Sequence, residues 1–408
     1  RVLEAWGSAM PSLDLAGHYV HMIDKPVTFF PDYFLYSFLK TADPSTPSPT
    51  GKLIPISFAP SHSADASLTA RQILFNGAVF VGVGAAQIYS DLTQDLFESK
   101  RLETITKVRK IYYGTLLARE AVFMLRSSLQ NAEDNLKNVQ LLRSQGIISE
   151  YDELRASVGV DNVRPIVMQS ENNYNLAINA LRDVIGLSGT TEILPVDSLI
   201  FHPIDDSLVA HAEEMVLEAN PNLKAVGHQV ELNHAVVKAE WSGYLPTLSA
   251  FGSYSYTSAK NSFDFSTSDF YKSSQIGLTL SINLFQGLQT SSRIEQAQLE
   301  ERKTEEQKIS LERNLKTGIQ SVIGNLKQAR KRVESLQRTV ETAERGYKIV
   351  TTRFLSNAAT QLEVNDAQLA LTQAQVNRMQ AIYDYLVASS DLDQLIGHVP
   401  DYAVETMK

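Results

Sequence analysis

The chain has 408 residues, of which 43% are hydrophobic and 20% charged, a composition typical of an ordered protein. Its formal net charge of −9 argues against nucleic acid as a partner, because surfaces that bind phosphate backbones are basic. The absence of cysteine excludes disulfide frameworks, thiol catalysis and cysteine-ligated metal centres. No segment approaches the roughly 20 apolar residues that a membrane-spanning helix requires.

The sequence contains an internal repeat with two copies. Trp6, Pro11 and Gly17 recur as Trp241, Pro246 and Gly252, in each case 235 residues later. Leu74-Phe75-Asn76-Gly77 recurs as Leu284-Phe285-Gln286-Gly287 after 210 residues, and Ile185-Gly186 recurs as Ile396-Gly397 after 211. The offset between matching residues therefore decreases from 235 to 210, which means that the first copy contains 25 additional residues between these two motifs. We expect the Pro- and Ser-rich stretch 41–51 to form an exposed loop that accounts for them. The same register predicts a further helix before Arg1.

Each copy is expected to begin with a pair of β-strands. In the second copy, apolar residues at 276, 278, 280, 282 and 284 alternate with polar or small ones, which is the pattern of a half-buried strand. The same order in the first copy gives four strands for the whole chain. The apolar run Val79–Ala86 is assigned to the end of the first pair, with Gly82-Val83-Gly84 as a bend at the strand end. Aromatic clusters near 29–38 and 263–271 fit either an interfacial belt or packing within loops.

A long helical hairpin is expected after each strand pair. Apolar residues separated by alternating steps of four and three run from Leu315 to Phe354, which is the heptad pattern of a coiled coil. The same register, 211 residues earlier, runs from Val108 to Val139. A return helix follows in each copy and ends at Gly186 or Gly397, since glycine is the usual residue after a helix end.

Four strands are too few to close a barrel, and an open sheet edge leaves backbone groups that lipid cannot satisfy. The chain therefore has to combine its strands with those of other copies, and three chains would supply twelve. The heptad pattern likewise requires neighbouring helices.

The order of these elements and several motifs resemble the TolC-type outer-membrane efflux protein family, also called outer membrane factors. The resemblance rests on Trp241 with Leu245-Pro246-Thr247-Leu248 and Gly252-Ser253-Tyr254, on the Leu-Phe-x-Gly step from strand to helix, and on the turn around Arg353-Phe354, Thr360 and Glu363-Val364. It covers essentially the whole chain. It implies a mixed fold of α-helices and transmembrane β-strands: a homotrimeric twelve-stranded β-barrel, with four strands per chain, continued by a long α-helical coiled-coil barrel.

The resemblance also implies a function and partners. The expected protein is a passive exit duct in the outer membrane of a Gram-negative bacterium, extending into the periplasm, in a tripartite efflux pump or a type I secretion system. Its expected partners are two further copies of the chain, outer-membrane lipid, a periplasmic adaptor (membrane fusion) protein and an inner-membrane transporter. The adaptor would open the duct at its periplasmic tip.

Eight divisions of the chain are predicted. They are the end of an N-terminal helix (1–9), a first strand pair with a long Pro-rich extracellular loop (10–86), a first helical hairpin (87–186), an irregular equatorial linker (187–221), a helix (222–243), a second strand pair (244–286), a second helical hairpin (287–397) and a C-terminal equatorial segment (398–408).

The resemblance assigns the pore constriction to acidic residues beside the hairpin turns, here Glu363, Asp366 and Asp152. In a trimer, Glu363 and Asp366 would form two stacked rings of carboxylates that attract cations. The alternative is that they are solvated acids in a first helical turn, where the helix dipole favours negative charge. The residues expected to contact the adaptor are Gly146, Ile147, Ile148, Ser149, Ser356, Asn357, Ala358, Ala359 and Thr360. Asn357 departs from the glycine that family members usually carry there, and a plain inter-helix loop is the alternative for both turns.

No catalytic residue, cofactor or metal site is predicted, and the chain is not expected to be an enzyme. His18 and His21 are three apart on a predicted strand and would face opposite sides, while His228 and His234 are six apart on a predicted helix. The main alternative function is a soluble periplasmic coiled-coil scaffold or adaptor-like protein. The alternating strands and the repeated Trp, Pro and Gly residues argue against this alternative, because a protein that consists only of a coiled coil does not contain such strands.

Overall fold

The computed structural model describes residues 2–33, 36, 48–189, 191–356 and 358–398. The chain divides into two compact units, Arg1–Ser90 with Glu231–Arg302 and Asp91–Val230 with Lys303–Lys408. The described helices and strands are, in chain order, α1 (Val2–Ser8), β1 (Ser12–His21), β2 (Thr28–Pro31), β3 (Leu53–Ile56), β4 (His62–Phe75), α2 (Gly77–Ser144), α3 (Glu150–Val184), α4 (Asp206–Ala219), α5 (Pro221–Trp241), β5 (Thr247–Lys260), β6 (Tyr271–Ser281), α6 (Gln289–Leu355) and α7 (Gln361–Leu395). None of the helices formed by the described residues combines the length and the apolar composition of a membrane-spanning helix.

The first unit contains a four-stranded antiparallel sheet in the order β1-β4-β5-β6, so that β1 and β6 form its two edges. Leu15 lies opposite Leu68, Leu68 opposite Tyr254, and Gly252 opposite Ile276, which sets the register across all four strands. Because side chains alternate along a strand, this register gives the sheet two different faces. One face carries apolar and aromatic side chains, namely Leu13, Leu15, Tyr19, Leu68, Tyr254, Tyr256, Ile276, Leu278 and Leu280. The other carries mainly polar ones, among them Asp14, His18, Asp65, Arg71, Ser253 and Gln275.

The apolar face of the sheet is open. Ile276 is 90% exposed and Leu15 is 79% exposed, although both are among the most hydrophobic side chains in the unit. A contiguous exposed apolar surface of this kind marks a site of contact with membrane or protein.

The polar face contains one close fit between neighbouring strands. Phe251 and Gly277 lie opposite each other in β5 and β6. A Cβ atom built on Gly277 would lie 2.8 Å from Cζ of the Phe251 ring, so the ring covers the glycine. An aromatic side chain over a cross-strand glycine compensates for the packing that the glycine lacks.

The two loops at the far end of the sheet are tied to each other. Lys25 Nζ and the Ser61 backbone N–H both donate to Asn261 Oδ1, at 2.7 and 3.1 Å. The Tyr19 ring lies 5.6 Å from that of Phe263, centre to centre. Within the first loop, β2 and β3 pair as a separate two-stranded hairpin.

The second unit has an apolar core formed by α2, α4, the start of α5, α6 and α7, together with the linker before α4. Its most buried members include Leu116, Ile319, Ile382, Tyr385 and Leu392, each no more than 1% exposed. All predicted heptad positions from Leu315 to Phe354 are buried or half-buried, which confirms the predicted coiled-coil face of α6.

The linker is fixed to the helices by hydrogen bonds and ring contacts. Tyr112 donates to Asp197 Oδ2 at 2.5 Å, and burial together with this bond raises the pKa of Tyr112 to about 12. Phe201 packs on the ring of Tyr385 at 4.7 Å, and the Tyr385 hydroxyl accepts from the Ile204 N–H at 2.7 Å.

The element boundaries differ from the prediction in four places. The first long helix begins at Gly77 rather than at 87, and Gly82-Val83-Gly84 lies inside it instead of forming a strand bend. Strand β6 ends at Ser281, and residues 282–288 lead through Gly287 at φ +58° and Leu288 at φ +66° into α6. The linker, predicted as irregular, contains the 14-residue helix α4, which begins at the side-chain cap of Asp205. The described residues contain six strands rather than four, because β2 and β3 form the additional hairpin.

The cause of the first error is clear. A short apolar run bounded by glycines has the composition of a strand end as well as that of a buried helix segment, and periodicity alone does not separate them. Residues 41–47 of the Pro-rich stretch and 399–408 of the predicted C-terminal segment lie outside the described residues.

Candidate gate at the helical hairpin tips

The two hairpin turns are closed by the same type of backbone bond. After α2, Gly146 adopts φ +73° and its N–H donates to the Arg143 carbonyl at 2.8 Å, while the Ile147 N–H donates to the Leu142 carbonyl at 3.0 Å. These bonds form the usual left-handed glycine ending of a helix. After α6, 211 residues later, the Ala358 N–H donates to the Arg353 carbonyl at 2.7 Å. The position equivalent to Gly146 is Asn357, which lies outside the described residues.

Both return helices begin with a capping box, in which the N-cap side chain and an acid three residues later bond each other's backbone N–H. The Asp152 N–H donates to Ser149 Oγ at 3.3 Å, and the Ser149 N–H donates to Asp152 Oδ2 at 3.3 Å. The Glu363 N–H donates to Thr360 Oγ1 at 3.3 Å, and the Thr360 N–H donates to Glu363 Oε1 at 3.4 Å. Asp152 and Glu363 therefore stabilise the starts of α3 and α7.

An arginine braces each turn. Arg143 pairs with Glu153 and also lies 3.6 Å from Glu150, and its hydrogen bond holds the pKa of Glu153 below the ordinary value. In the second turn, Arg353 Nη2 donates to the Ala358 carbonyl at 2.7 Å, and Nη1 lies 3.8 Å from Glu363 Oε2.

The two turns share a small apolar core. Val139 from α2, Ala156 from α3, Phe354 from α6 and Val364 from α7 are each at most 5% exposed and pack together. Ile148 and Ala359, two of the predicted adaptor-contact residues, pack against this core and are half-buried. The tips are thus packed against each other within one chain.

A family model described as outer membrane efflux protein matches residues 51–187 and 214–398, which is most of the chain. The chain belongs to this family. The family assignment places the protein in the outer membrane, extending into the periplasm, as an efflux or secretion channel. The family consists of channel and efflux proteins rather than enzymes.

Individual members of the efflux protein family are similar along most of the chain. The alkaline protease secretion protein AprF of Pseudomonas aeruginosa is 20% identical over 83% of this chain and 70% of its own length. The outer membrane protein TolC of Vibrio cholerae is 23% identical over 83% of this chain and 78% of its own. The solved structure of the outer-membrane channel OprN superposes with a TM-score of 0.73 at 16% identity, covering 98% of this chain and 84% of that one. These matches confirm the predicted family and the mixed architecture of long helices with a four-stranded sheet.

The structure places the predicted gate residues of this efflux protein in different settings. Asp152 and Glu363 are engaged in capping boxes, whereas Asp366 is exposed one turn further along α7 and forms no ion pair within the described residues. The exposed turn residues include Gly146, Ile147, Ser149, Ser356, Ala358 and Thr360. The described residues contain no group of three or more potential metal ligands.

The arginine braces were not identified as site residues from the sequence. At the offset of 211, Arg143 falls opposite Phe354 rather than Arg353, so the two arginines do not occupy equivalent positions. The available signal was the pair of acids at Glu150 and Glu153, close enough to the turn for a side chain at 143 to reach them.

Proposed function

We propose that three copies of this chain close one twelve-stranded β-barrel and act as a passive exit duct, opened at the hairpin tips by a periplasmic adaptor and an inner-membrane transporter. The main support for this proposal is the sheet formed by β1, β4, β5 and β6. It has four strands, two free edges, one exposed apolar face and one polar face.

The edges require partners of the same kind. In a bilayer, the backbone N–H and C=O groups along the outer sides of β1 and β6 have no water to bond, so each edge must pair with another strand. Pairing β1 of one copy with β6 of the next satisfies both edges and continues the apolar face around the outside. A soluble scaffold is not favoured, because it would leave Ile276 and Leu278 in water.

Cysteine cross-linking tests the assembly directly, because the 408 residues of the sequence contain no cysteine. Ala16 of β1 is replaced by Cys in combination with Cys at Ser273, Gln275 or Thr279 of β6, all on the polar face. At least one pair is expected to give covalent trimers on oxidation in outer membranes. The matched control joins Ala16→Cys with Ser253→Cys of the inner strand β5, which is expected to give no intermolecular product. Cross-linking that stops at dimers in every pair would rule out the three-chain barrel.

The tips are the proposed gate. Support comes from the shared apolar core, which gives the tips a defined packed arrangement, and from exposed turn residues such as Ile147, 46% exposed, which are available to an adaptor. Carboxylates at 363 and 366, and at 152 beside the first turn, are proposed to line the constriction.

Conductance across planar bilayers tests the gate. The purified protein alone is expected to conduct poorly, and adaptor with transporter should raise the conductance. Ile147→Ser should weaken this response without lowering the trimer yield, whereas Leu176→Ser, a 58% exposed leucine far from the turn in sequence, should not. An equal response from both variants would remove residue 147 from the adaptor contact.

A further inference from the structure

Two histidines lie side by side at the loop end of the four-stranded sheet. His21 is the last residue of β1 and His62 the first of β4, and the strand register places them opposite each other. Because side chains alternate along a strand, both lie on the same face as Tyr19. Their Nδ1 atoms are 3.2 Å apart, and their ring centres are 4.4 Å apart. Neither the proposed duct nor its gate uses this pair.

Other polar atoms surround the two ring nitrogens. The Tyr19 hydroxyl lies 2.8 Å from His62 Nδ1, and the Ser61 carbonyl oxygen lies 3.1 Å from His21 Nδ1. A ring nitrogen forms one hydrogen bond at a time, yet each of these nitrogens has two polar neighbours. The two imidazoles are therefore held side by side without needing each other as hydrogen-bond partners.

The separation of the two nitrogens is that of two ligands on one metal ion. With metal–nitrogen bonds of about 2.0 Å, two ligand nitrogens lie about 2.8 Å apart at a right angle and about 3.3 Å apart at the tetrahedral angle. The observed 3.2 Å lies between these values. Rotation about the Cβ–Cγ bond, which is soft in histidine, would turn both Nδ1 lone pairs toward a shared ion.

Metal binding would cost this site few existing bonds. A neutral imidazole carries its proton on either nitrogen, so His21 can bind a metal through Nδ1 when the proton is on Nε2. The Ser61 carbonyl then loses its contact with His21 but keeps the Met22 N–H, which donates to it at 2.9 Å. The nearest lysine of the same row, Lys260 in β5, pairs with Asp269, so its positive charge is balanced.

We propose that His21 and His62 bind one divalent transition-metal ion of the class that imidazole prefers, with the Tyr19 hydroxyl and water completing its coordination. Two imidazoles are fewer than the three protein ligands of catalytic zinc sites, so the ion is expected to exchange readily. Cu²⁺ should bind more tightly than Ni²⁺ or Zn²⁺, which is the usual order for nitrogen and oxygen ligands. The bound ion would join the edge strand β1 to β4, and its binding does not depend on the proposed function.

Isothermal titration calorimetry with CuCl₂ tests the site on the purified assembly in detergent, without a histidine tag. One strong site per chain is expected. His21→Asn and His62→Asn should each weaken it at least about ten-fold, since even the loss of an outer-shell partner costs that much. His18→Asn is the matched control and should bind like wild type, because His18 lies on β1 but on the opposite face, 3.1 Å from Asp65. Unchanged binding in either of the first two variants, or a loss confined to His18→Asn, would overturn the proposal.

Electron paramagnetic resonance of the Cu²⁺ complex identifies the ligands. The wild-type spectrum should show splitting from two imidazole nitrogens, and either single variant should show splitting from one, because each histidine contributes one nitrogen. A wild-type spectrum with oxygen ligands alone would contradict the assignment.

Chemical modification of the wild-type chain gives a test that needs no variant. Diethyl pyrocarbonate reacts with neutral imidazole nitrogens, and mass spectrometry after proteolysis reports each histidine separately. Saturating Zn²⁺ should slow the modification of His21 and His62 at least about ten-fold, because the ion occupies the reacting nitrogens. His211, an exposed histidine of α4, should react at an unchanged rate. Modification of His21 and His62 at the same rate with and without Zn²⁺ would show that the ion does not bind there.

Discussion

Phe354→Ala tests whether the shared core of the tips keeps the channel closed. The Phe354 side chain is 5% exposed and contacts Val139, Ala156 and Val364, so its removal leaves a cavity that joins three helices. Truncations of this kind cost about 3–5 kcal/mol. If half of that cost falls on the packed arrangement of the tips, about 1.5–2.5 kcal/mol, the ratio of open to closed channels should rise roughly 10- to 70-fold, at about 1.4 kcal/mol per factor of ten.

Single-channel recording in planar bilayers measures this ratio without partners. Leu355→Ala is the matched control, because the adjacent Leu355 is 56% exposed and its loss should cost less than about 0.5 kcal/mol. The trimer yield of both variants should stay close to wild type, since the larger core around Ile382 and Tyr385 does not include the tip residues. An open fraction for Phe354→Ala no greater than that of Leu355→Ala would refute the reasoning.

Three further predictions follow from the same structure. Glu363→Gln and Asp366→Asn should reduce the preference for cations in bilayers, because glutamine preserves the capping box while removing the charge; unchanged permeability ratios would exclude both residues from the constriction. Val333→Pro should lower the trimer yield, since proline in a helix interior costs about 3 kcal/mol or more and Val333 is buried in the coiled-coil face; a normal yield would contradict that placement. The pKa of Glu153 lies below its ordinary value of 4.5, because Arg143 pairs with the ionised carboxylate. The ion pair therefore stabilises the first turn above pH 4.5, and this stabilisation is lost as the pH falls through the lowered pKa of Glu153. The protection of the amides of residues 143–153, taken relative to their intrinsic exchange rate at each pH, should therefore fall under acid conditions in wild type, and in Arg143→Gln it should be low already at pH 7. Equal protection of the variant and wild type at pH 7 would show that the pair is not stabilising.

The repeat and the hydrophobic periods predicted most of the architecture. The alternation of apolar and polar residues in β6 and the heptad repeat in α6 are long patterns, and each is compatible with only one type of secondary structure. The sequence therefore predicts this strand and this helix correctly along most of their length. The start of α2 was misassigned because Val79–Ala86 is short, apolar and rich in glycine, and helix formation there is decided by neighbouring structure rather than by local preference.

The site was predicted less completely than the fold. The turn residues follow from the spacing of the repeat. The capping role of Asp152 and Glu363 also has a sequence signal, because each acid lies three residues after a Ser or Thr at the start of a predicted helix. The arginine contacts depend on which acid or carbonyl across its own turn each side chain reaches. The hydrogen bond from Gln368 to Ser128 joins helices that are distant in sequence. A heptad pattern marks such positions as inward-facing without indicating whether they contact water, an amide or a hydrocarbon neighbour.

The Phe251 ring over Gly277 constrains how this sheet can change during evolution. Any side chain at 277 would collide with the ring, since even a methyl group would approach to 2.8 Å, whereas a smaller residue at 251 would uncover the glycine and weaken the strand pair. The order of substitution therefore matters: shrinking 251 first costs packing that a later alanine at 277 can restore, while the reverse order passes through a steric clash. The two positions should behave as an epistatic pair, in which each single mutant is less fit than the double mutant.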